Sequence, residues 1–168
     1  MREEPLKVFP TPKGEPIHVL ALGAHADDLE LGCGATLLRL HYNLDALIHY
    51  VVFCDHFCRR KDRPEGINRE NEMQESAKLL GCHSVKTDYG YLDTEFPRWW
   101  REIQQKVEKL CTEQEAQNHG RKFDLVLAPR LDDNHQDHVV VAQAAAREAP
   151  FHARALWHYE IKQRGQDR

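Results

Sequence analysis

Two short runs of this chain hold side chains able to bind a metal ion and move a proton. The first is His25-Ala26-Asp27-Asp28 and the second is His135-Gln136-Asp137-His138. A hydrolytic metal centre needs about three protein ligands and an open position for water. It also needs a base for the water's proton and a donor for the developing oxyanion. The first run offers an imidazole and two carboxylates. Successive side chains on a turn diverge, so Asp27 and Asp28 would take different jobs: one binds the metal while its neighbour points toward the bound water. The second run offers two histidines three apart, which project to similar faces if they open a helix. Asp137 between them could orient a histidine through its second ring nitrogen. Taken alone, each run has a plainer reading. An Asp-Asp pair after a strand is often a helix N-cap followed by a dipole-favoured acid, and a His-rich helix start can simply be solvated. Their joint appearance, each just after an apolar run, favours a metal site.

These residues must be held by the elements around them. Residues 17–23 form a short apolar run and read as a buried strand. Residues 29–40 carry Leu31, Ala35 and Leu38 at helical spacing, and Gly32, Cys33, Gly34 and Ala35 are small enough for close packing on a sheet. Residues 46–54 read as a second strand, 55–66 as a polar, basic loop, and 67–80 as a helix stopped by Gly81. A short third strand is predicted over 84–88. A long amphipathic helix follows over 95–117, with Trp99, Ile103, Val107 and Leu110 as its core stripe. A fourth strand (123–128), an alanine-rich helix (139–147) and a fifth strand (153–161) complete the series. Strand and helix alternate throughout. That pattern specifies a Rossmann-like three-layer α/β/α sandwich with a mostly parallel sheet and right-handed crossovers. Such sheets bind ligands beyond the carboxyl ends of their strands, where both runs fall. The dinucleotide fingerprint G-x-G-x-x-G is absent, and Gly32-Cys33-Gly34 gives no nicotinamide signal.

Composition narrows the class further. A chain of 168 residues suits a single domain, 1–168, with a real core. The 23 basic and 27 acidic side chains leave a net charge of −4, which argues against a general nucleic-acid binder. No apolar stretch approaches the roughly 20 residues of a membrane span. The opening residues are charged and proline-punctuated, without the apolar core of a secretory signal. Five irregularly spaced cysteines read as reduced thiols of a cytoplasmic protein. Eleven histidines are unusually many, and part of that excess asks for a chemical reason.

The run from Ala24 to Thr36, AHADDLELGCGAT, resembles the opening motif of the LmbE-like, or PIG-L, deacetylase family. His135-Gln136-Asp137-His138 resembles that family's H-x-D-H motif. Between them, Arg69 and Glu72 followed by Ala77, Leu79, Leu80 and Gly81 resemble its middle helix, and Gly90-Tyr91-Leu92-Asp93 the segment after its third strand. Leu156-Trp157-His158-Tyr159-Glu160 fits its closing strand, so the likeness covers nearly the whole chain in order. The resemblance implies a zinc-dependent hydrolase, with another divalent metal possible, that removes the acetyl group from an N-acetylglucosamine-type sugar or conjugate. His25, Asp28 and His138 would be the metal ligands and Asp27 the general base. His135 would steady the oxyanion or deliver a proton to the leaving amine. Asp137 would orient a neighbouring histidine, while Arg69 and Asp93 would contact sugar hydroxyls. Ala26 stands where the family usually has proline, so the turn aiming Asp27 and Asp28 loses a fixed φ but no ligand.

Relatives usually continue past the fifth strand, so the domain is expected to be short at its C-terminus. The expected partner is a small N-acyl amino sugar or glycoconjugate, with a homo-oligomer possible. The rival reading is a non-catalytic sugar- or metabolite-binding domain of the same fold, and within hydrolases an amide hydrolase acting on a non-sugar. Asp27 has no role in merely holding a metal, which favours the enzyme.

Other features carry less. Cys54-Asp55-His56-Phe57-Cys58 lacks the second ligand pair of a structural zinc, although Asp55 or His56 could line a pocket rim. The basic run Arg59 to Arg63 reads as solvated surface more readily than as a lid. Trp100 reads as buried rather than as a sugar platform. His41, His49, His83, His119, His152 and His158 show no usable pattern.

Overall fold

The computed structural model describes residues 15–54, 69–87 and 89–161. Five strands and four helices follow in order: β1 (His18–His25), α1 (Asp28–Leu44), β2 (Leu47–Cys54), α2 (Arg69–Leu79), β3 (Ser84–Lys86), α3 (Trp100–Gln117), β4 (Leu125–Pro129), α4 (Gln136–His152) and β5 (Leu156–Tyr159). A 3₁₀ turn, Phe96–Trp99, leads into α3. The sheet order is β3-β2-β1-β4-β5, and every pairing is parallel. The order therefore reverses between β1 and β4. In doubly wound sheets that reversal opens a crevice at the carboxyl ends of the strands.

The three layers follow from strand alternation. Leu20, Leu22 and Ala24 of β1 join Val51 and Phe53 of β2 and Val126 and Ala128 of β4 in one core with α3 and α4. Val19 and Ala21, with Ile48, Tyr50, Val52, Leu125 and Leu127, face α1 and α2 on the other side. Strands buried on both faces read as continuous apolar runs, which is why these are legible in sequence.

β1 runs on to His25, two residues beyond the predicted end, and the register pairs His25 with Cys54. The imidazole is thus positioned by the sheet itself. Gly81 ends α2 with φ of 72°, the left-handed stop expected of it. Gly32 meets the expectation of close packing in a specific way: a Cβ there would lie 2.3 Å from the Tyr159 ring. Tyr159 is buried, and its hydroxyl donates to the Leu22 carbonyl at 2.7 Å.

Two expectations are corrected. Trp99 does not join the stripe of α3: it is 43% exposed, while Phe96 is fully buried with Ile103, Val107 and Leu110. The tighter 3₁₀ turn changes the angular phase before α3 begins, so a spacing of four no longer carries Trp99 to the buried face. Second, α4 spans Gln136–His152 rather than 139–147, with Pro150 in its last turn. Proline removes one backbone donor there, close to the end, where little of the ladder remains to be lost. No helix among the described residues is long and apolar enough to cross a membrane.

Candidate active site

The two runs meet at the switch between β1 and β4. A two-residue turn, Ala26-Asp27, separates β1 from α1, and Asp28 opens the helix. Asp28 is buried. Its Oδ2 accepts from the backbone N–H groups of Ala24 at 2.8 Å and His25 at 2.9 Å. That leaves Oδ1, which lies 3.2 Å from Nε2 of His138. His25 Nδ1 is 3.2 Å from the same His138 Nε2 and 3.7 Å from Asp28 Oδ2. Ligand-type atoms from β1 and α1 therefore converge on His138 Nε2 of α4.

Three further carboxylates, Asp93, Asp133 and Asp137, lie against the imidazoles. Asp137 is fully buried. It accepts from Thr94 N at 2.6 Å and Phe96 N at 3.2 Å, and its Oδ2 lies 3.3 Å from His25 Nε2. Asp93 Oδ1 lies 3.1 Å from that same His25 Nε2 and 3.5 Å from His135 Nε2. Asp133 Oδ2 lies 3.2 Å from His138 Nδ1, and its Oδ1 accepts from the His135 backbone N at 2.8 Å. Asp133 was not singled out in the sequence. The available signal was chemical: a ligating histidine wants a partner on its second ring nitrogen, and Asp133 lies in the polar link between β4 and the motif.

His135 is the N-cap of α4, with Nδ1 accepting from Asp137 N at 3.3 Å. An accepting Nδ1 places the neutral ring's proton on Nε2. Asp27 sits on the turn, exposed, and its side chain caps no helix N–H. Asp93 is placed against the two histidines rather than away from them. Arg69 starts α2, but its side chain lies outside the described residues, as do Asp55, His56, Cys58 and the run Arg59 to Arg63.

The charges agree with this geometry. Burial alone would lower the His25 imidazole, but hydrogen bonds to Asp137 and Asp28 and the charge of Asp93 lift it to about 10. His138 is likewise pulled down by burial and pushed up further by Asp28 and Asp133. Burial would raise the Asp28 carboxyl, yet His138 and His25 hold it well below the usual carboxylate range. His135 is lowered, first by burial and then by the neighbouring His25 and His138. A surplus of carboxylate over imidazole stabilises positive charge here, whether protons or a divalent cation.

Two overlapping sets bring ligand atoms within 4.8 Å of one another: His25, His135 and His138, and His25, Asp93, His135 and Asp137. The second set meets at Nε2 of His25, on the far side of the ring from Nδ1. His138 Nε2 lies 3.2 Å from both His25 Nδ1 and Asp28 Oδ1, while the other Asp28 oxygen, Oδ2, is 3.7 Å from His25 Nδ1; separations of this order suit zinc, whose bonds of about 2.0–2.1 Å imply ligand separations of roughly 3.3 Å. The residues present fit such an ion.

Fold and site together define a doubly wound α/β protein with a histidine–carboxylate centre at its strand-order switch. The chain belongs to the PIG-L family, described as GlcNAc-PI de-N-acetylase, whose profile matches residues 20–149 and so takes in both motifs. It is similar to an uncharacterized deacetylase, YaiS, of Escherichia coli (strain K12), at 30% identity over 128 residues, 76% of this chain and 65% of that relative. The chain thus spans just under two thirds of that relative's length. Among solved structures it resembles the N,N′-diacetylchitobiose deacetylase of Pyrococcus horikoshii, with a TM-score of 0.61, 24% identity and coverage of 80% of this chain and 49% of that one. It also resembles the A40926 pseudoaglycone deacetylase Dbv21, with a TM-score of 0.66, 19% identity and coverage of 86% and 64%. At these identities the structural likeness speaks for the fold.

Proposed function

We propose that this chain is a metal-dependent N-deacetylase acting on an N-acetylated amino sugar or glycoconjugate. The reading is carried by the convergence of His25 Nδ1 and Asp28 Oδ1 on His138 Nε2, with carboxylates on the far sides of the two imidazoles. Family membership and the deacetylases among its structural neighbours support the amide as the scissile bond and an N-acetyl sugar as the substrate class.

In this reading His25, Asp28 and His138 would hold the ion, and a set of two imidazoles and one carboxylate makes zinc the first choice. When bound, the metal supplies Lewis acidity toward the acetyl carbonyl and toward water. Asp27 lies on the turn between two ligands without a capping bond of its own, and it takes the proton of the attacking water. His135 has Nδ1 committed to the helix cap, so its Nε2–H donates to the oxyanion. Asp27 then returns its proton to the departing amine, and acetate and the free amino sugar leave. Asp137 and Asp133 keep the His25 and His138 rings turned toward the ion.

The test is acetate release from a panel of N-acetylglucosamine derivatives by zinc-loaded and chelated protein, beside Asp27→Asn. The expected outcome is zinc-dependent release that falls roughly 10²–10⁴-fold in Asp27→Asn, the usual scale for general-base catalysis, with metal retained. Sugar binding without turnover by the metal-loaded wild type would instead establish the binding domain.

A further inference from the structure

At the edge of the sheet away from the metal-type centre, the surface gathers positive charge. β3 is an edge strand, paired on one side with β2. Beside it lies a recess of about 440 Å³, bounded on its other side by α3. Three lysines line it, Lys86 from β3 and Lys106 and Lys109 from α3, and Glu113 is the one acid lining it among the described residues. Three cations against one anion leave a doubly positive recess on a chain whose net charge is −4. Lys106 and Lys109 stand three apart on one helix, a like-charge pairing that weakens a helix unless something answers it.

The cations are drawn together from two elements. Glu113 Oε2 lies 3.3 Å from Lys86 Nζ, and its Oε1 lies 3.7 Å from Lys109 Nζ, so one carboxylate brings a strand lysine and a helix lysine to the same place. Lys106 Nζ lies 5.7 Å from the Tyr89 ring centroid, and that ring packs on Phe53 at 5.1 Å. Among the described residues Lys106 has this ring, and no carboxylate, for a partner. Thr87 and Tyr89 add hydroxyls to the lining. A second cavity of about 230 Å³ shares Lys86, Leu110 and Glu113 with the first and extends to His49 and His83. His49 Nε2 is buried without a hydrogen-bond partner among the described residues, so this side of the recess holds a polar atom still to be satisfied.

The strand register sets the recess apart from the centre. Lys86 stands level with Val51, and Val51 with Leu22, three residues before His25. At about 3.3 Å per residue along a strand and about 4.8 Å between strands, the recess lies roughly 10 Å back from the level of His25 and roughly 10 Å to the side.

We propose that this recess is a separate anion site that takes a small, soluble phosphate monoester. Such a group carries about −1.5 to −2 charge near neutral pH and offers three strong acceptor oxygens. It therefore answers the doubly positive lining and gives each ammonium group an acceptor, whereas a carboxylate would leave one charge unmatched. Lysine binds phosphate as a point charge and needs no bidentate geometry. The volume lies in the range of roughly 300–1,000 Å³ typical of small-molecule sites, and the concave form admits a free ester rather than a headgroup held in a bilayer plane. The site stands whether or not the centre at His25, Asp28 and His138 is a deacetylase.

The test is titration calorimetry of zinc-loaded protein with glycerol 3-phosphate, and with glycerol as the uncharged control, in the wild type, in Lys106→Gln and in a double variant, Lys86→Gln with Lys109→Gln. All three lysines are exposed, so these changes leave the packing intact. The wild type should bind the ester with a Kd of roughly 1 mM or tighter and show no heat with glycerol. Lys106→Gln should weaken the ester roughly tenfold, the scale of one hydrogen bond to a charged group, and the double variant should abolish binding. Sedimentation with phosphatidylcholine vesicles containing phosphatidic acid, a phosphate monoester in a lipid, is the companion measurement. No binding of the ester by the wild type, an affinity unchanged in both variants, or binding confined to the vesicles overturns the site. An affinity untouched by the lysine variants but lost in His138→Ala also overturns it, by placing the anion at the zinc centre.

Discussion

Asp137 carries several constraints in one carboxylate. It accepts two backbone N–H groups of the segment before α3 and faces the imidazole that ends β1. Removing it leaves buried donors unpaired and frees the His25 ring. Asp137→Ala should therefore weaken metal binding about 10–100-fold, the usual cost of losing an outer-sphere partner, measured by competition with a chromogenic chelator. Unchanged affinity would show that His25 needs no such support. His135 combines two duties that substitution can separate. His135→Ala should cost about 1 kcal/mol through the lost cap. His135→Asn supplies a good capping side chain and should recover that stability in urea unfolding without recovering turnover. If Asn restores both, the imidazole is only a cap.

Two elements make predictions of their own. α1 reaches the sheet closely because Gly32 lies against the Tyr159 ring, with no room for a Cβ. Gly32→Ala must displace a buried ring that is hydrogen-bonded to β1, and should destabilise the fold by about 1–3 kcal/mol, as overpacked cores do. A melting temperature equal to wild type would show that Tyr159 can swing aside. On the opposite half of the molecule, His18 and His49 stack at 6.1 Å on adjacent strands, and His83 meets His49 edge-on at 5.6 Å. Burial, with His83, His18 and Lys86 nearby, lowers His49 to about 4. The folded state thus keeps His49 neutral while the unfolded chain takes up a proton near its ordinary value of 6.5. Above that pH the residue contributes no pH dependence. As pH falls from 6.5 toward 4 stability is lost, on the order of 1–2 kcal/mol after allowing for partial exposure. His49→Gln should flatten the pH dependence of urea unfolding in that window, and an unchanged slope would locate the effect elsewhere.

The whole molecule is stitched at one end by the proposed centre. His25 comes from β1, Asp28 from α1, His138 from α4 and Asp93 from the segment before the 3₁₀ turn, and their contacts cross both helical layers. An ion bound there but not by the unfolded chain should add about 3–4 kcal/mol at concentrations of 100–1,000 times its dissociation constant. For a domain of this size that corresponds to a rise in melting temperature of roughly 6–16 °C. Chelation should reverse the rise, and calorimetry with and without zinc measures it. No shift at saturating zinc would deny the ion a place in the folded protein.

Much of this was written into local sequence. Strands buried on both faces appear as apolar runs because no residue on them meets water, and the alternation with helices dictates a parallel, doubly wound sheet. The two His-Asp runs were legible because their side-chain types, so close together after strands, are hard to account for as packing. What local spacing could not supply was orientation. Only the fold shows that Asp28 turns one oxygen to backbone amides and the other to His138, and that Asp93 reaches two histidines. Only the fold brings Asp133 to His138, and only the phase of a 3₁₀ turn put Phe96 rather than Trp99 in the core. Sequence determined which residues and elements exist, through periodicity and residue chemistry. Tertiary structure decided which atoms of those residues face one another, because that depends on sheet register, helix phase and the crevice where the strand order reverses.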